Sequence, residues 1–283
     1  ISSAEDFAAM KYDGNYKLTK DIITEPAIVG DVYQITSGRE LAWLAQEVNA
    51  GRGASYNAVL CNDIDLGNEN WMPIGKTSSY PYKGIFDGQG YEIKNLKIYS
   101  DSSNQALFGY VNGGTVKNLT VSGSVKGGNS TAGIIGELAG TALVEKCMNK
   151  ATVNGGNAVG GIVGKISTGY EKSIQYCVNE GPITGANQVG GIVGYAYYTV
   201  TVDQCYNRGA IEATASKAGG IVGHMDDGSA KFFNCYTTGT VTGKDSAAVV
   251  GKKSSGTITN CYYLDALGND SNATSKTSDE LKD

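Results

Sequence analysis

Gly161-Ile-Val-Gly164, Gly191-Ile-Val-Gly194 and Gly220-Ile-Val-Gly223 are copies of one four-residue pattern that decides the fold. Looser copies extend the series in both directions, and the closing glycine recurs at intervals of 27 to 30 residues. The six closing positions are Gly109, Gly136, Gly164, Gly194, Gly223 and Gly251. Self-similarity at such a period is typical of repeat architectures such as solenoids.

A second position repeats in phase with these glycines. Five consecutive repeats place cysteine there, and we name these residues the ladder cysteines: Cys147, Cys177, Cys205, Cys235 and Cys261. Each has an apolar residue three positions before it, and three of them have asparagine two positions after it, at Asn149, Asn179 and Asn207. The repeat therefore combines a glycine turn with a short apolar cluster around cysteine.

The repeats predict strands rather than helices. Their apolar residues form short β-branched clusters interrupted by glycine, and helical spacing over ten or more residues is absent, which excludes TPR, HEAT and ankyrin arrays. Three such clusters per repeat fit three short strands per coil. The prediction is an all-β, right-handed parallel β-helix, a solenoid of about 28-residue coils. We expect the repeat glycines to supply positive φ at sharp corners.

Three segments follow from this pattern. Residues 1–100 are predicted to form an N-terminal cap and the first coils, because Ser37-Gly-Arg-Glu40 is a capping box before a short amphipathic helix at about 38–49. Residues 101–268 carry the repeats. Residues 269–283 are predicted to be a C-terminal tail that ends in the start of a truncated helix, so we expect flanking domains of a longer chain.

The glycine turns resemble the GLUG motif of bacterial surface and secreted proteins over about residues 106–265. Asp63-Ile-Asp-Leu66, Trp71-Met-Pro-Ile-Gly75 and Phe86-Asp-Gly-Gln-Gly90 look like the lead-in that often precedes such repeats. The motif is known from adhesin-like proteins of gut commensals and from accessory segments of IgA-specific metallopeptidases. The resemblance implies an extracellular module, attached to the cell surface or secreted. The zinc signature His-Glu-x-x-His of those peptidases is impossible here, since the chain has one histidine.

Composition excludes some classes of partner. The 283 residues carry a net charge of −5 with no clusters of lysine and arginine, which argues against nucleic acid or an anionic membrane as partner. No apolar run approaches the roughly 20 residues of a membrane span, so we expect no membrane insertion within this chain.

The repeated cysteines and asparagines are interpreted as structural. Stacked coils would place the cysteines in one internal column, where they could be free buried thiols, a disulfide chain or a metal site. Paired short spacings such as Cys-x-x-Cys are absent and parallel neighbours have poor disulfide geometry, so we predict inert thiols, with no metal and no cofactor. The asparagine amides are expected to hydrogen-bond from coil to coil.

Tyrosines are the candidate ligand-binding residues. Tyr206, Tyr236 and Tyr262 directly follow ladder cysteines and should point outward, and Tyr195, Tyr197 and Tyr198 follow one glycine turn. Outward tyrosines could bind sugar rings or a protein partner, or they could form a stabilising aromatic ladder.

Acidic residues give weaker signals. Asp226-Asp227 beside His224 is the best local cluster for catalysis, but no carboxylate recurs at one repeat position and no nucleophile context surrounds the histidine. Residues 63–70 (Asp-Ile-Asp-Leu-Gly-Asn-Glu-Asn) loosely resemble a calcium loop without its full spacing.

The predicted function is a non-catalytic, extracellular β-helix module of a bacterial surface protein. It would be a stalk or an adhesin that binds a glycan or a host surface protein. The alternatives are a carbohydrate-active enzyme on the same fold and an accessory segment of a secreted IgA-type protease.

Overall fold

The structure, a computed structural model, describes residues 23–267 and 270–281. It confirms the predicted parallel β-solenoid, with about eight coils spaced by about 28 residues. Within the described residues α1 is the single α-helix.

The elements before the repeats are β1 (Ala27–Val29), β2 (Val32–Ile35), α1 (Gly38–Asn49), β3 (Asn57–Leu60), β4 (Ile64–Asp65), β5 (Ile85–Asp87) and β6 (Glu92–Tyr99). The repeats begin with β7 (Phe108–Asn112), β8 (Thr115–Lys126), β9 (Thr131–Ala132), β10 (Ile135–Ala139), β11 (Leu143–Asn149), β12 (Thr152–Asn154), β13 (Asn157–Gly160), β14 (Val163–Ile166), β15 (Ser173–Gln175), β16 (Val178–Asn179), β17 (Ile183–Gly190) and β18 (Val193–Ala196). They continue with β19 (Thr201–Asp203), β20 (Tyr206–Asn207), β21 (Ile211–Gly219), β22 (Val222–Met225), β23 (Lys231–Phe233), β24 (Tyr236–Thr237), β25 (Val241–Gly243), β26 (Ser246–Ala247), β27 (Val250–Lys253), β28 (Thr257–Thr259) and β29 (Tyr262–Leu264). A 3₁₀ turn (Asp265–Leu267) and β30 (Thr274–Lys276) complete the chain.

Equivalent strands of successive coils pair in parallel. The strands of the glycine turns form one six-stranded sheet in the order β27-β22-β18-β14-β10-β7, which we name the turn sheet. Its register is that of the sequence repeat, so Ile135 pairs with Phe108 on one side and with Val163 on the other. The cysteine-bearing segments pair in the same way, with Cys147 opposite Leu119. Residues at one repeat position therefore form a column along the solenoid.

The core runs through the middle of the coils. The apolar position three residues before the cysteine, or before Leu119, forms a column that is fully buried at Val116, Val144, Ile174 and Val202 and partly buried at Ile258 in the last coil. Because side chains alternate across a strand, the intervening residues point outward and are partly exposed. The side chains that a partner could contact therefore lie in the outward columns and in the loops between strands.

Glycines supply positive φ at one corner of the coils, at Gly113, Gly140 and Gly169, but not at the closing positions of the repeat. None of the closing glycines Gly136, Gly164, Gly194, Gly223 and Gly251 has a positive φ. A Cβ on Gly194 would lie only 2.5 Å from the Gly164 carbonyl oxygen and from the Val159 nitrogen. Glycine is needed there for space between backbones. Another left-handed corner lies at the residue before each ladder cysteine, such as Lys146 (φ 51°) and Tyr176 (φ 56°).

Helix α1 lies where the sequence predicted it. The N-cap Ser37 hydroxyl accepts a hydrogen bond from the Glu40 backbone nitrogen, as in a capping box, whereas the Glu40 carboxylate accepts one from the Thr36 nitrogen, one residue before the N-cap. The helix buries Leu41 and Leu44 in the core beside the first coils. Residues 1–22 of the predicted N-terminal segment lie outside the described residues.

The C-terminal tail contains a strand that the sequence did not predict. Strand β30 pairs in parallel with β29, so the tail adds to the solenoid. The Asp270 carboxylate accepts hydrogen bonds from the Val249 and Val250 backbone nitrogens at 2.7 and 2.9 Å. Beyond β30, Thr277 and Glu280 exchange hydrogen bonds over a single turn, and the predicted start of a helix there stays a prediction.

Candidate functional site

The five ladder cysteines lie inside the solenoid as free thiols. Their sulfur atoms contact backbone carbonyls of the preceding coil, as Cys147 Sγ does at 3.5 Å from Val116 O. Burial raises the pKa of the Cys147 and Cys205 thiols, which keeps them protonated and unreactive. The exposed Cys61 is also a free thiol. No cluster of three or more metal-ligating side chains occurs among the residues that the structure describes.

The three asparagines form a buried amide ladder. Asn149 Nδ2 donates to Asn179 Oδ1 at 2.8 Å, and Asn179 Nδ2 donates to Asn207 Oδ1 at 2.7 Å. Each amide also bonds the backbone two residues on, as Asn179 does to Gly181 O. Thr237 takes the next position and accepts from Asn207. These amides are occupied by one another and have no capacity left for a ligand.

Tyr206, Tyr236 and Tyr262, the tyrosine ladder, occupy one outward column. The Tyr206 and Tyr236 rings stack with centroids 4.7 Å apart and planes 4° apart. The Arg208 guanidinium lies 5.3 Å from the Tyr206 centroid, and Lys276 Nζ lies 5.8 Å from that of Tyr262. A sugar stacks on an open aromatic face, and each of these rings already has a neighbour over one face. The geometry favours the stabilising ladder over the binding surface.

The other predicted tyrosines meet the predicted acidic cluster on the turn sheet. Tyr195 in β18 is the register partner of His224 in β22, and their rings stack with centroids 5.0 Å apart and planes 10° apart. The Tyr195 hydroxyl donates to Asp226 Oδ2 at 2.9 Å. Tyr197 packs against Tyr195 and Tyr198, with centroid distances of 5.3 and 4.9 Å. We name these five residues the tyrosine corner.

The tyrosine corner is electrostatically coupled. Burial and the neighbouring Asp226 raise the pKa of Tyr195, so its hydroxyl remains a donor. The hydrogen bond from Tyr195 lowers the pKa of Asp226 and keeps it a carboxylate. Burial, together with the charges of Lys217 and Lys252, lowers the pKa of His224, so its ring is neutral at pH 7. A neutral ring stacked on a neutral phenol and an adjacent carboxylate form a stable polar platform.

The serine near His224 does not complete a catalytic triad. Ser254 Oγ lies 3.0 Å from His224 Nε2, and the Gln188 amide nitrogen lies 3.3 Å from Nδ1. Asp226 Oδ1 lies 3.9 Å from Nε2, on the serine side of the ring. A triad needs the carboxylate at Nδ1, where it orients the ring and stabilises the imidazolium. Here the Gln188 amide donates to Nδ1, so the ring proton lies on Nε2. Because Nε2 already carries a proton, it cannot accept the proton of the Ser254 hydroxyl.

The sequence contained an unused signal for this arrangement. Tyr195 and His224 each follow the closing glycine of a repeat directly, one coil apart, so the repeat alignment alone makes them neighbours. The contributions of Ser254 and Gln188 were missed because both come from positions with no recurring residue type.

The residues of the candidate calcium loop bind protein donors. Asp63 accepts hydrogen bonds from Lys94 Nζ at 2.6 Å and from the Glu92 nitrogen at 3.0 Å. Asp65 accepts from Asn95 Nδ2 and from the Gly67 nitrogen. These donors lower the pKa of both carboxyl groups. The arrangement ties successive coils together and directs both carboxylates to protein donors.

Within residues 23–267 and 270–281, no helix is long and apolar enough to cross a lipid bilayer.

Comparison with known proteins places the chain by its fold. No family model matches it, and no curated protein matches it. The solved structure of a "putative immunoglobulin A1 protease" from Bacteroides ovatus superposes with a TM-score of 0.73 and 21% sequence identity. The match covers 88% of this chain and 85% of that chain. Similarity at this level of identity establishes a common fold, which is the β-solenoid described above.

Proposed function

We propose that the chain is a non-catalytic, extracellular β-solenoid module of a bacterial surface or secreted protein, a stalk or an adhesin that binds a glycan. One observation carries this proposal. Tyr197 and Tyr198 are 46% and 36% exposed on a loop beside the turn sheet, whereas the repeated cysteines and asparagines are buried. Exposed aromatic rings on a rigid surface are the usual contact groups for sugars and for protein partners.

A non-catalytic role agrees with the placement of the acidic groups. Glycoside hydrolysis needs two carboxyl groups about 5–10 Å apart across a substrate. The outward column of the turn sheet contains one carboxylate, Glu137, and Lys165 pairs with it at 3.5 Å. Asp226 is held by Tyr195, and Asp227 accepts hydrogen bonds from the Ser229 nitrogen within its own loop. These carboxylates have structural partners rather than a shared cleft.

The extracellular setting rests on two similarities. The glycine turns resemble the GLUG motif of surface and secreted proteins, and a structure described as an immunoglobulin A1 protease has the same fold. The second similarity also favours a second candidate, an accessory segment of a secreted protease. Sequencing the gene on both sides of the encoded chain tests that candidate, because a metallopeptidase domain in the same reading frame would support it.

A glycan array together with a hydrolysis assay tests the main proposal. We expect selective binding to one group of glycans, and no release of reducing sugar when the bound polysaccharides are incubated with the protein. Turnover of any of them would replace the proposal with the enzyme alternative. An array without binding would leave a stalk or a protein-binding segment.

A further inference from the structure

Three loops leave the turn sheet at the same corner of successive coils. Residues 167–172 follow β14, residues 197–200 follow β18 and residues 226–230 follow β22. The first loop carries Tyr170, which is 81% exposed, and the second carries Tyr197 and Tyr198. The third begins at Asp226, whose backbone nitrogen donates to Ala196 O, so it packs directly on the second. Three of the four exposed tyrosines of the repeats therefore lie on two consecutive loops, and the fourth, Tyr176, lies between β15 and β16.

A buried lysine connects two of these loops. Lys172 is 1% exposed, and its ammonium donates to the carbonyl oxygens of Gly169 at 2.7 Å and Thr199 at 3.3 Å. Burying an ammonium is costly, and an apolar side chain of the same length would stabilise a simple core position better. Since Gly169 precedes Tyr170 and Thr199 follows Tyr198, Lys172 fixes the spacing of the two tyrosine-bearing loops. It acts as a positioning residue.

The acceptor beside the tyrosines is also held in place. One carboxylate oxygen of Asp226 accepts a hydrogen bond from the Tyr195 hydroxyl, and Asp226 remains partly exposed. A carboxylate has about four lone-pair sites, so it retains capacity for hydroxyl donors from outside. Tyr195 itself is fixed by stacking on His224. The corner thus offers open aromatic rings and a hydrogen-bond acceptor, both preorganised by the coils below.

The charges of the loops limit the ligand. The exposed or partly exposed ionisable groups in the three loops are Glu171, Asp226 and Asp227, whereas the lysine among them is buried and bonded. On the turn sheet, Lys165 is the register partner of Tyr195 and pairs with Glu137 at 3.5 Å, and the exposed Lys252 is the register partner of His224 one coil further on. Three acidic groups repel uronic acids and sialic acids, but accept hydrogen bonds from the hydroxyl groups of neutral sugars.

We infer that the tyrosine corner is the binding site for a neutral glycan. Tyr197 and Tyr198 stack on the sugar, Asp226 accepts its hydroxyl groups, and Lys172 positions the loops. The inference rests on the proposed function and assigns it a site and a ligand class, which separates this corner from the covered rings of the tyrosine ladder.

The experiment measures binding of defined hexasaccharides of glucose, mannose, xylose and N-acetylglucosamine, with polygalacturonate as the anionic probe. Tyr197→Ala and Tyr198→Ala are compared with Tyr99→Ala, which removes a tyrosine that is 62% exposed on β6, away from the turn sheet. We expect each corner variant to lose at least tenfold in affinity for the neutral probe, while Tyr99→Ala binds as wild type and all three keep the melting temperature. Polygalacturonate should bind at least tenfold more weakly than the neutral probe.

The role of Lys172 has its own readout. Lys172→Met keeps the length of the side chain and removes the charge, so we expect an unchanged or higher melting temperature, together with weaker sugar binding and faster amide exchange in residues 197–200. An unchanged affinity would overturn the positioning role.

The outcomes separate the site from the function. Wild-type binding that survives both corner substitutions would overturn the corner site and leave the proposed function standing. A wild-type protein that binds no neutral or anionic glycan would overturn both the corner site and the glycan-binding adhesin, and would leave the stalk or a protein-binding segment. Capture of a host glycoprotein that persists after complete deglycosylation would replace the glycan with a protein partner.

Discussion

Asn179 Nδ2 donates a hydrogen bond to Asn207 Oδ1 in the next coil at 2.7 Å, and both side chains are fully buried. Asn179 Oδ1 also accepts from Asn149, so a single side chain joins three coils. Each buried amide bonds both its neighbour in the ladder and a backbone carbonyl of its own coil, and such connected hydrogen bonds strengthen one another. Stability of the solenoid therefore depends on polar contacts as well as on its apolar column.

Asn179→Ala should destabilise the protein by about 1–3 kcal/mol, because it leaves buried partners without a hydrogen bond. The matched control is Asn187→Ala. Asn187 makes an equivalent contact to Asn157 Oδ1 at 2.8 Å, but in an exposed column where water replaces the lost bond. Denaturant unfolding of both variants measures the difference, and equal losses would show that burial of the amide ladder contributes nothing.

Gly191→Ala should destabilise the protein by about 1–3 kcal/mol, because overpacking against backbone is relieved only by moving whole coils. The new Cβ would lie 2.2 Å from the Gly220 carbonyl oxygen and 2.5 Å from Asn207 Cγ. Lys146→Gly is the contrasting variant, since Lys146 has a φ of 51° that glycine adopts without strain. It should be neutral or slightly stabilising in the same unfolding experiment. The opposite ranking would mean that the close backbone approach at Gly191 is not what requires glycine there.

The ladder thiols should react only after unfolding. Cys61 is the one exposed cysteine of the six. In a thiol titration the native protein should therefore react with one equivalent of reagent, and the remaining five thiols should react after denaturant is added. Cys61→Ser removes the fast equivalent and serves as the control. Rapid labelling of a second thiol in the Cys61→Ser protein would place a ladder cysteine at the surface.

His224 should make stability depend on pH. Its pKa in the folded protein lies below the ordinary value of 6.5, so the unfolded chain binds a proton first as the pH falls. The stability contributed by the neutral ring is complete above pH 6.5 and is lost as the pH falls toward the lowered folded pKa. His224→Gln should reduce the loss of unfolding free energy between pH 7.5 and pH 5.5. Identical losses in wild type and variant would mean that the ring is protonated in the folded state as easily as in water.

The repeat made the fold readable from the sequence. A register fixed by Gly164, Gly194 and Cys177 places every equivalent residue in one column, so parallel strands and buried thiols follow from alignment alone. The role of the glycines was misjudged because composition does not distinguish a position that needs positive φ from one that needs space. Only the backbone approach around Gly194 decides between them.

The candidate site was less readable, because its residues come from loops that differ from coil to coil. Tyr195 and Asp226 were each singled out, but the hydrogen bond that joins them depends on how two loops bend over the turn sheet. Lys172 carried no sequence signal, since a lysine in a loop is ordinarily exposed. Burial and the two carbonyl contacts give it a role.

Asp270 should control the stability of the last coil. In the inner coils the amides of the glycine turn donate to the next coil, as the Val222 nitrogen does to Val249 O at 3.1 Å. The equivalent nitrogens of Val249 and Val250 donate instead to the Asp270 carboxylate, which therefore substitutes for a missing strand.

Asp270→Ala leaves these buried amides unsatisfied, at about 1–3 kcal/mol for each, and so it should open the last coil without unfolding the inner ones. Amide hydrogen exchange tests this, because the Val249 and Val250 amides should lose protection in Asp270→Ala while Val193 in β18 keeps its own. Asp270→Asn retains an acceptor oxygen and should fall between wild type and Asp270→Ala. Uniform loss of protection along the chain would instead mean that the solenoid unfolds as one unit, so that losing the Asp270 contacts destabilises every coil.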